Sequence, residues 1–152
     1  MIKRDNVPGQ EKLQNKNTTL AELIAKAEGE PIASFLKMKF VELSPGYAKV
    51  SMKVLPEYLN FNGMIFGGII SAVADQAFAL ATNSLVMRSI ASQFNIHYIN
   101  APSVGDELIA ECRVIKSGRR VGVSEMTVTN QDGKLIAKAT GTTIPVTESK
   151  SQ

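Results

Sequence analysis

The chain has 152 residues, 44% hydrophobic and 20% charged; this is the composition of one ordinary globular domain and excludes a disordered tail, a collagen-like fibre and a coiled coil. A net charge of +3, from 17 basic and 14 acidic side chains, is not gathered into a run. With no Trp and three Tyr, neither a base-stacking platform nor a phosphate stripe is present, so nucleic acid is not an expected partner. The single cysteine, Cys112, cannot form an internal disulfide or a zinc cage. The start, MIKRDNVPGQ, has two basic residues but no apolar stretch behind them, which argues against a secretory signal and makes the cytoplasm the expected location.

Residues 1–17 are polar and are expected to form an irregular leader. Thr18 or Thr19 can cap a helix running to Gly29, because Leu20, Leu23, Ile24 and Ala27 share one face at helical spacing. After Pro31 the period changes to two. Leu36, Met38 and Phe40 alternate with lysines, Ser44-Pro45-Gly46 reverses the chain, and Ala48, Val50, Met52 and Val54 alternate with Tyr47, Lys49, Ser51 and Lys53. The second long helix is IISAVADQAFALATNS. Four strands follow: one with Ile90, Ser92, Phe94, Ile96 and Tyr98 on its inward face, one with Leu108, Ala110, Cys112 and Val114, one over 121–129, and one over 135–146 after the Asp132-Gly133 hairpin signal. The order predicts an α+β fold, one antiparallel sheet of about six strands on a single apolar helix.

The apolar stretch from Met64 to Ala81 mimics a membrane span, but Asp75 sits inside it, and a carboxylate at that depth in lipid costs a few kcal/mol. A helix buried in protein, away from any membrane, is the expectation. Asp75 is the only charged residue between Glu57 and Arg88. Burying a lone carboxylate is costly, so it needs a partner or a task; the structural alternative is a bond to Ser71 or to a neighbouring loop. At about 100° per residue, Gly68, Ser71, Asp75, Ala79 and Thr82 form one small, polar stripe, apart from the greasy Ile69, Ile70, Val73, Ala77 and Leu80. The loop from Asn60 ends in Gly67-Gly68 at the helix start. Amides there are unshielded by a β-carbon and carry the positive end of the helix dipole, which is one way to build an oxyanion hole.

The stretch NFNGMIFGGIISAVADQAFALATNS, residues 60–84, closely resembles the motif of hotdog-fold acyl-CoA thioesterases of the phenylacetic-acid-degradation type. Their signature is Asn, two residues, Gly, two residues, His-Gly-Gly, and an acidic residue eight positions after the first of the paired glycines. Asn60, Gly63, Gly67, Gly68 and Asp75 match it in register, and Phe66 stands where the family carries His. The resemblance spans roughly residues 35–145. It implies a hotdog fold, a six-stranded antiparallel sheet wrapped around one central helix, assigned to 31–148; residues 1–30 lie outside it, as the leader and extra helix. It also implies hydrolysis of an acyl-CoA with no metal and no cofactor.

In a mechanism consistent with these residues, the Gly67 N–H polarises the thioester carbonyl, Asp75 attacks it or activates a water, and Asn60 orients the water or the substrate. Eight residues of helix rise about 12 Å, too far for one chain to bring Gly67 and Asp75 onto one carbonyl. A two-fold homodimer with shared active sites is therefore expected; the resemblance implies the same arrangement, often doubled to a tetramer. Phe66 and Gly68 are expected to touch substrate. Lys116, Arg119 and Arg120 suit the phosphates of coenzyme A, or are a solvated hairpin end. Phe61, Met64, Phe66 and Phe78 are candidates for an acyl pocket, and Ser84 and Ser92 for lining near Asp75. His97 reads as exposed or interfacial, and Cys112 as core.

Three alternatives stand beside hydrolysis. Phe66 in place of His suggests an acyl-CoA binder with little or no turnover. A hydratase acting on enoyl thioesters needs a His in a segment where this chain has none. A DNA-binding regulator needs a helix-turn-helix, and the leader offers one helix only.

Overall fold

The computed structural model describes residues 20–146. The leader and the Thr18 or Thr19 cap lie outside the described residues. Residues 20–28 form a helix, α1, whose Leu23 enters the common core. A short helix the sequence did not announce, α2 (Pro31–Phe35), follows with Pro at its first turn. It corrects the expectation of a strand after Pro31. Lys37 takes a left-handed φ of 55°, and the Lys37 and Met38 amides donate back to Ser34 O and Ala33 O, the 5→2 and 6→1 bonds of a helix-closing Schellman turn. The alternation of Leu36 and Met38 with lysines therefore belongs to a helix end; the strand begins only at Lys39.

The remaining elements are β1 (Lys39–Ser44), β2 (Tyr47–Lys53), α3 (Gly67–Asn83), β3 (Ser89–Tyr98), β4 (Glu107–Ser117), β5 (Gly122–Thr129) and β6 (Leu135–Pro145). All six strands form one sheet in the order β1-β2-β4-β5-β6-β3, and every neighbouring pair is antiparallel. The Ser44-Pro45-Gly46 reversal is present, with Gly46 at a φ of 77° that only glycine adopts without strain. Asp132-Gly133 closes the β5–β6 hairpin, where Asn130 Oδ1 accepts from the Asp132 and Lys134 amides. The connection from β2 to β3 carries the chain through α3 to the opposite edge of the sheet, so β1 and β3 are the two edges.

The sheet curls around α3, which packs on all six strands. Ala48, Val50, Met52 and Val54 of β2 and its continuation are fully buried as their spacing requires, as are Leu108, Ala110 and Cys112 of β4. Burial of Cys112 pushes its thiol up to about 12, so it is an inert core residue. Phe78 is also core, against Phe94 and Gly141, which corrects its assignment to an acyl pocket. No helix among the described residues is long and apolar enough to cross a membrane.

Gly141 is needed where β6 passes under Phe78: a β-carbon there would sit 2.5 Å from Phe78 Cζ. Gly141→Ala is therefore expected to destabilise the fold by about 1–3 kcal/mol through overpacking. Urea denaturation checks this, and an unchanged midpoint counts against the packing described.

Candidate functional site

The loop between β2 and α3 is tied down by its own backbone. The Asn60 amide donates to Met64 O at 2.7 Å, Gly63 N–H to Asn60 O at 3.0 Å, and Phe66 N–H to Tyr58 O at 2.8 Å. Asn60 Oδ1 accepts from the Asn62 amide at 2.8 Å and the Met64 amide at 3.2 Å. The side-chain carbonyl of Asn60 is thus committed to holding the loop, and its amide nitrogen is the end left to meet a ligand. Gly63, at a φ of 70°, makes the turn possible.

Phe66 is the N-cap residue of α3, and among the described residues no side chain caps the helix. The first amides of a helix have no partner inside it, so Gly67 and Gly68 present N–H groups at the positive end of the dipole. Each glycine lies under an aromatic ring. A β-carbon on Gly68 would collide with the Phe66 ring, and one on Gly67 would stand 3.2 Å from Cζ of Tyr98. The Tyr98 hydroxyl and Ser71 Oγ share a hydrogen bond of 2.5 Å. Sequence reasoning placed Tyr98 on the inward face of β3, and from that face it reaches the helix start; the bulge between Ala91 and Gln93 instead turns Ile90, expected inward, to the exposed face.

Asp75 lies two turns further along the same helix. Within the single chain it is exposed, which corrects the expectation that it is sequestered among apolar neighbours. The open stripe of α3 is Gly68, Asp75 and Ala79, flanked by half-buried Ser71 and Ala72; Thr82, expected there, is buried. Gly68, Ser71, Ala72 and Asp75 line a cleft of about 400 Å³ against Ala91 and Phe94 of β3. Partial burial in this cleft pushes the Asp75 carboxyl above the usual carboxylate range, and the negative charge of Glu30 adds to the effect. Glu30, which precedes α2, accepts a 2.6 Å hydrogen bond from Gln76 Nε2. No sequence signal pointed to Glu30, since only tertiary packing brings it to α3.

Other candidates are placed elsewhere. Phe61, Met64 and Phe66 are exposed on the loop, Phe61 almost completely. Ser84 does not approach Asp75: its Oγ donates to Ala81 O and accepts from the Gly46 amide, fastening the β1–β2 turn to the end of α3. Ser92 donates to Thr142 O, away from the cleft. His97 is exposed and paired in register with Lys138. Lys116, Arg119 and Arg120 are exposed at the β4–β5 tip. Ser117 and Gly118 of that tip lie against Thr82 and Val86, so within one chain the basic tip sits at the opposite end of α3 from Gly67. Among the described residues, no three His, Cys, Asp or Glu side chains gather into a group that could hold a metal.

A six-stranded antiparallel sheet curled about one helix, with paired glycines opening that helix, is the hotdog architecture. The thioesterase superfamily model matches residues 62–137, and the chain belongs to that family. A protein of Archaeoglobus fulgidus is 38% identical over 80% of this chain and 79% of its own. Acyl-coenzyme A thioesterase PaaI of Escherichia coli is 32% identical over 74% of this chain and 81% of its own. The solved PaaI structure superposes with a TM-score of 0.81 at 29% identity, covering 88% of this chain and 95% of that one. The protein smu.793 of Streptococcus mutans, solved bound to acetyl CoA, superposes with a TM-score of 0.70 at 31% identity over 74% of this chain and 91% of its own.

The electrostatics of the cleft can be tested without a substrate. In a carbon-detected NMR titration the Asp75 carboxyl is expected to titrate above the ordinary carboxylate range. In Glu30→Gln, which keeps an acceptor for Gln76 but removes the charge, its midpoint is expected to move down. No movement means that burial acts alone.

Proposed function

We propose that this protein is an acyl-CoA thioesterase that releases a free acid and coenzyme A. The observation that carries the reading is the pairing, on one helix, of uncapped Gly67 and Gly68 amides with a carboxylate in an otherwise small-residue cleft. Membership of the thioesterase superfamily and the likeness to PaaI support it. The acetyl CoA bound to the Streptococcus mutans protein supports coenzyme A thioesters as the ligand class.

In the proposed reaction the thioester carbonyl oxygen accepts a hydrogen bond from Gly67 N–H at the positive end of α3. Asp75 takes a proton from a water, and the resulting hydroxide adds to the carbonyl carbon. The negative charge that develops on oxygen is stabilised by the fixed amide, a donor whose removal in other enzymes costs roughly 10²–10³ in turnover. The C–S bond then breaks, and the thiolate of coenzyme A leaves with little need for an acid. Direct attack by Asp75 through a mixed anhydride gives the same products. Asn60 uses its amide nitrogen to hold water or substrate. Phe66 and Gly68 form the wall beside the reacting group, and Lys116, Arg119 and Arg120 are proposed phosphate contacts.

Gly67 and Asp75 are eight residues apart on one rigid helix, about 12 Å of rise. We infer a homodimer in which Asp75 of one protomer serves the Gly67 and Asn60 of its partner. The bare stripe of α3 and the outer edge of β3, a ten-residue strand unpaired on that side among the described residues and with exposed Ile90 and Tyr98, suit such an interface, since an unpaired long edge strand is otherwise a liability. A second reading, a binder with weak catalysis, is favoured by one observation: the Phe66 ring folded over Gly68 offers no hydrogen bond.

Free-thiol release from short, long and aryl acyl-CoA esters separates the two readings, the binder giving saturable binding without turnover. Asp75→Asn is expected to abolish release while the dimer persists, and Phe66→His to raise the rate if the missing donor limits it. Mixing inactive Asp75→Asn with an impaired Asn60→Asp protein is expected to restore about a quarter of wild-type activity, since half the dimers are mixed and each has one intact site. A mixture that stays inactive argues for sites built within one chain.

A further inference from the structure

A half-exposed tyrosine ordinarily turns its hydroxyl to water, leaving the ring against apolar neighbours. Tyr98, 51% exposed at the end of β3, does not. Its ring lies across Gly67, and its hydroxyl bonds to Ser71, the residue one helical turn beyond Gly67 and one turn before Asp75. Nothing in its spacing sets Tyr98 apart from the other inward residues of its strand.

Two hydroxyls that share one hydrogen bond use one of their two protons, so the pair keeps one O–H donor to spare. That donor is close to the paired glycines. The Tyr98 oxygen would stand 3.4 Å from a β-carbon built on Gly67, which with ordinary bond lengths puts it within about 6 Å of the Gly67 nitrogen. An oxygen about 2.9 Å from the amide and 2.7 Å from the hydroxyl bridges separations up to about 5.6 Å, which covers nearly all of that range. The Phe66 ring, on the other side over Gly68, supplies no donor. Ser71 also lines the cleft that holds Asp75, so the hydroxyl pair stands between the Gly67 amide and the carboxylate that, in the proposed dimer, serves the partner protomer.

We propose that Tyr98, its hydroxyl held by Ser71, is a further catalytic residue that donates a hydrogen bond to the reacting carbonyl oxygen beside the Gly67 amide. The proposal rests on the thioesterase reading. Tyr98 acts as the side-chain half of an oxyanion site whose main-chain half is Gly67, and Ser71 positions it. Because the ring itself packs on Gly67, removing only the hydroxyl leaves the packing intact.

The test compares Tyr98→Phe, Ser71→Ala, Asp75→Asn and the wild type on the best substrate of the acyl-CoA panel, with dimer mass measured for each. Tyr98→Phe is expected to lower kcat by roughly 100-fold, the usual effect of losing one oxyanion donor, with KM within about threefold, since the bond strengthens only as charge develops. Ser71→Ala, which frees the tyrosine without removing it, is expected to lower kcat by a smaller factor. A Tyr98→Phe protein with wild-type kcat, or with only a raised KM, overturns the proposal. If Asp75→Asn is inactive in the same experiment, the thioesterase reading survives that result. A wild type that hydrolyses none of the esters sinks both.

Discussion

A helix wrapped by a sheet on one side must leave its other side bare, and in this chain the bare side carries the candidate site. The six strands take up the aliphatic and aromatic residues of α3, from Ile70 and Val73 through Phe78 to Ala81. What remains is a stripe of glycine, alanine, serine and one aspartate. Small residues there let another surface approach the helix backbone closely, and the aspartate keeps that surface from being purely apolar. The same constraint places the uncapped end of the helix and the carboxylate on one line, two turns apart.

Two aromatic rings flank the helix start. Phe66 and Tyr98 lie over Gly68 and Gly67, so both glycines are fixed by neighbouring rings as much as by the backbone turn. Amides held this way are fixed in place before anything binds, as the proposed hydrogen bond to a carbonyl oxygen requires. The loop that precedes them is equally constrained, with Asn60 using backbone and side chain together to close it. Asn60 therefore has a structural role whatever else it does, and only its amide nitrogen is available for more.

The segment before the main domain is tied to the site through one hydrogen bond. Glu30 reaches Gln76, the neighbour of Asp75, and its charge works with burial to keep the Asp75 carboxyl protonated to higher pH. A carboxyl in this condition is a stronger base once ionised, which suits proton abstraction from water. The cost is a narrower pH range in which the ionised form exists.

The fold class, the two-residue period of the strands, both turns around glycine and the long helix were legible from the chain alone, because they depend on local spacing and on turn residues with special backbone freedom. The core role of Cys112 and the line from Gly68 to Asp75 were legible for the same reason. Three things were not. Leu36 and Met38 mimic strand alternation but finish a helix, since their pattern also suits the two bonds that close α2. Ile90 leaves the inward face its spacing predicts, because the bulge between Ala91 and Gln93 shifts the register. Glu30 meets Gln76 only when α1 and α2 dock on α3, and Phe78 meets Phe94 only when β3 crosses to the far edge of the sheet. Local periodicity determined which residues face inward; strand order, a bulge and the docking of α1 and α2 decided which polar groups meet, because contacts between distant segments leave no trace in spacing along the chain.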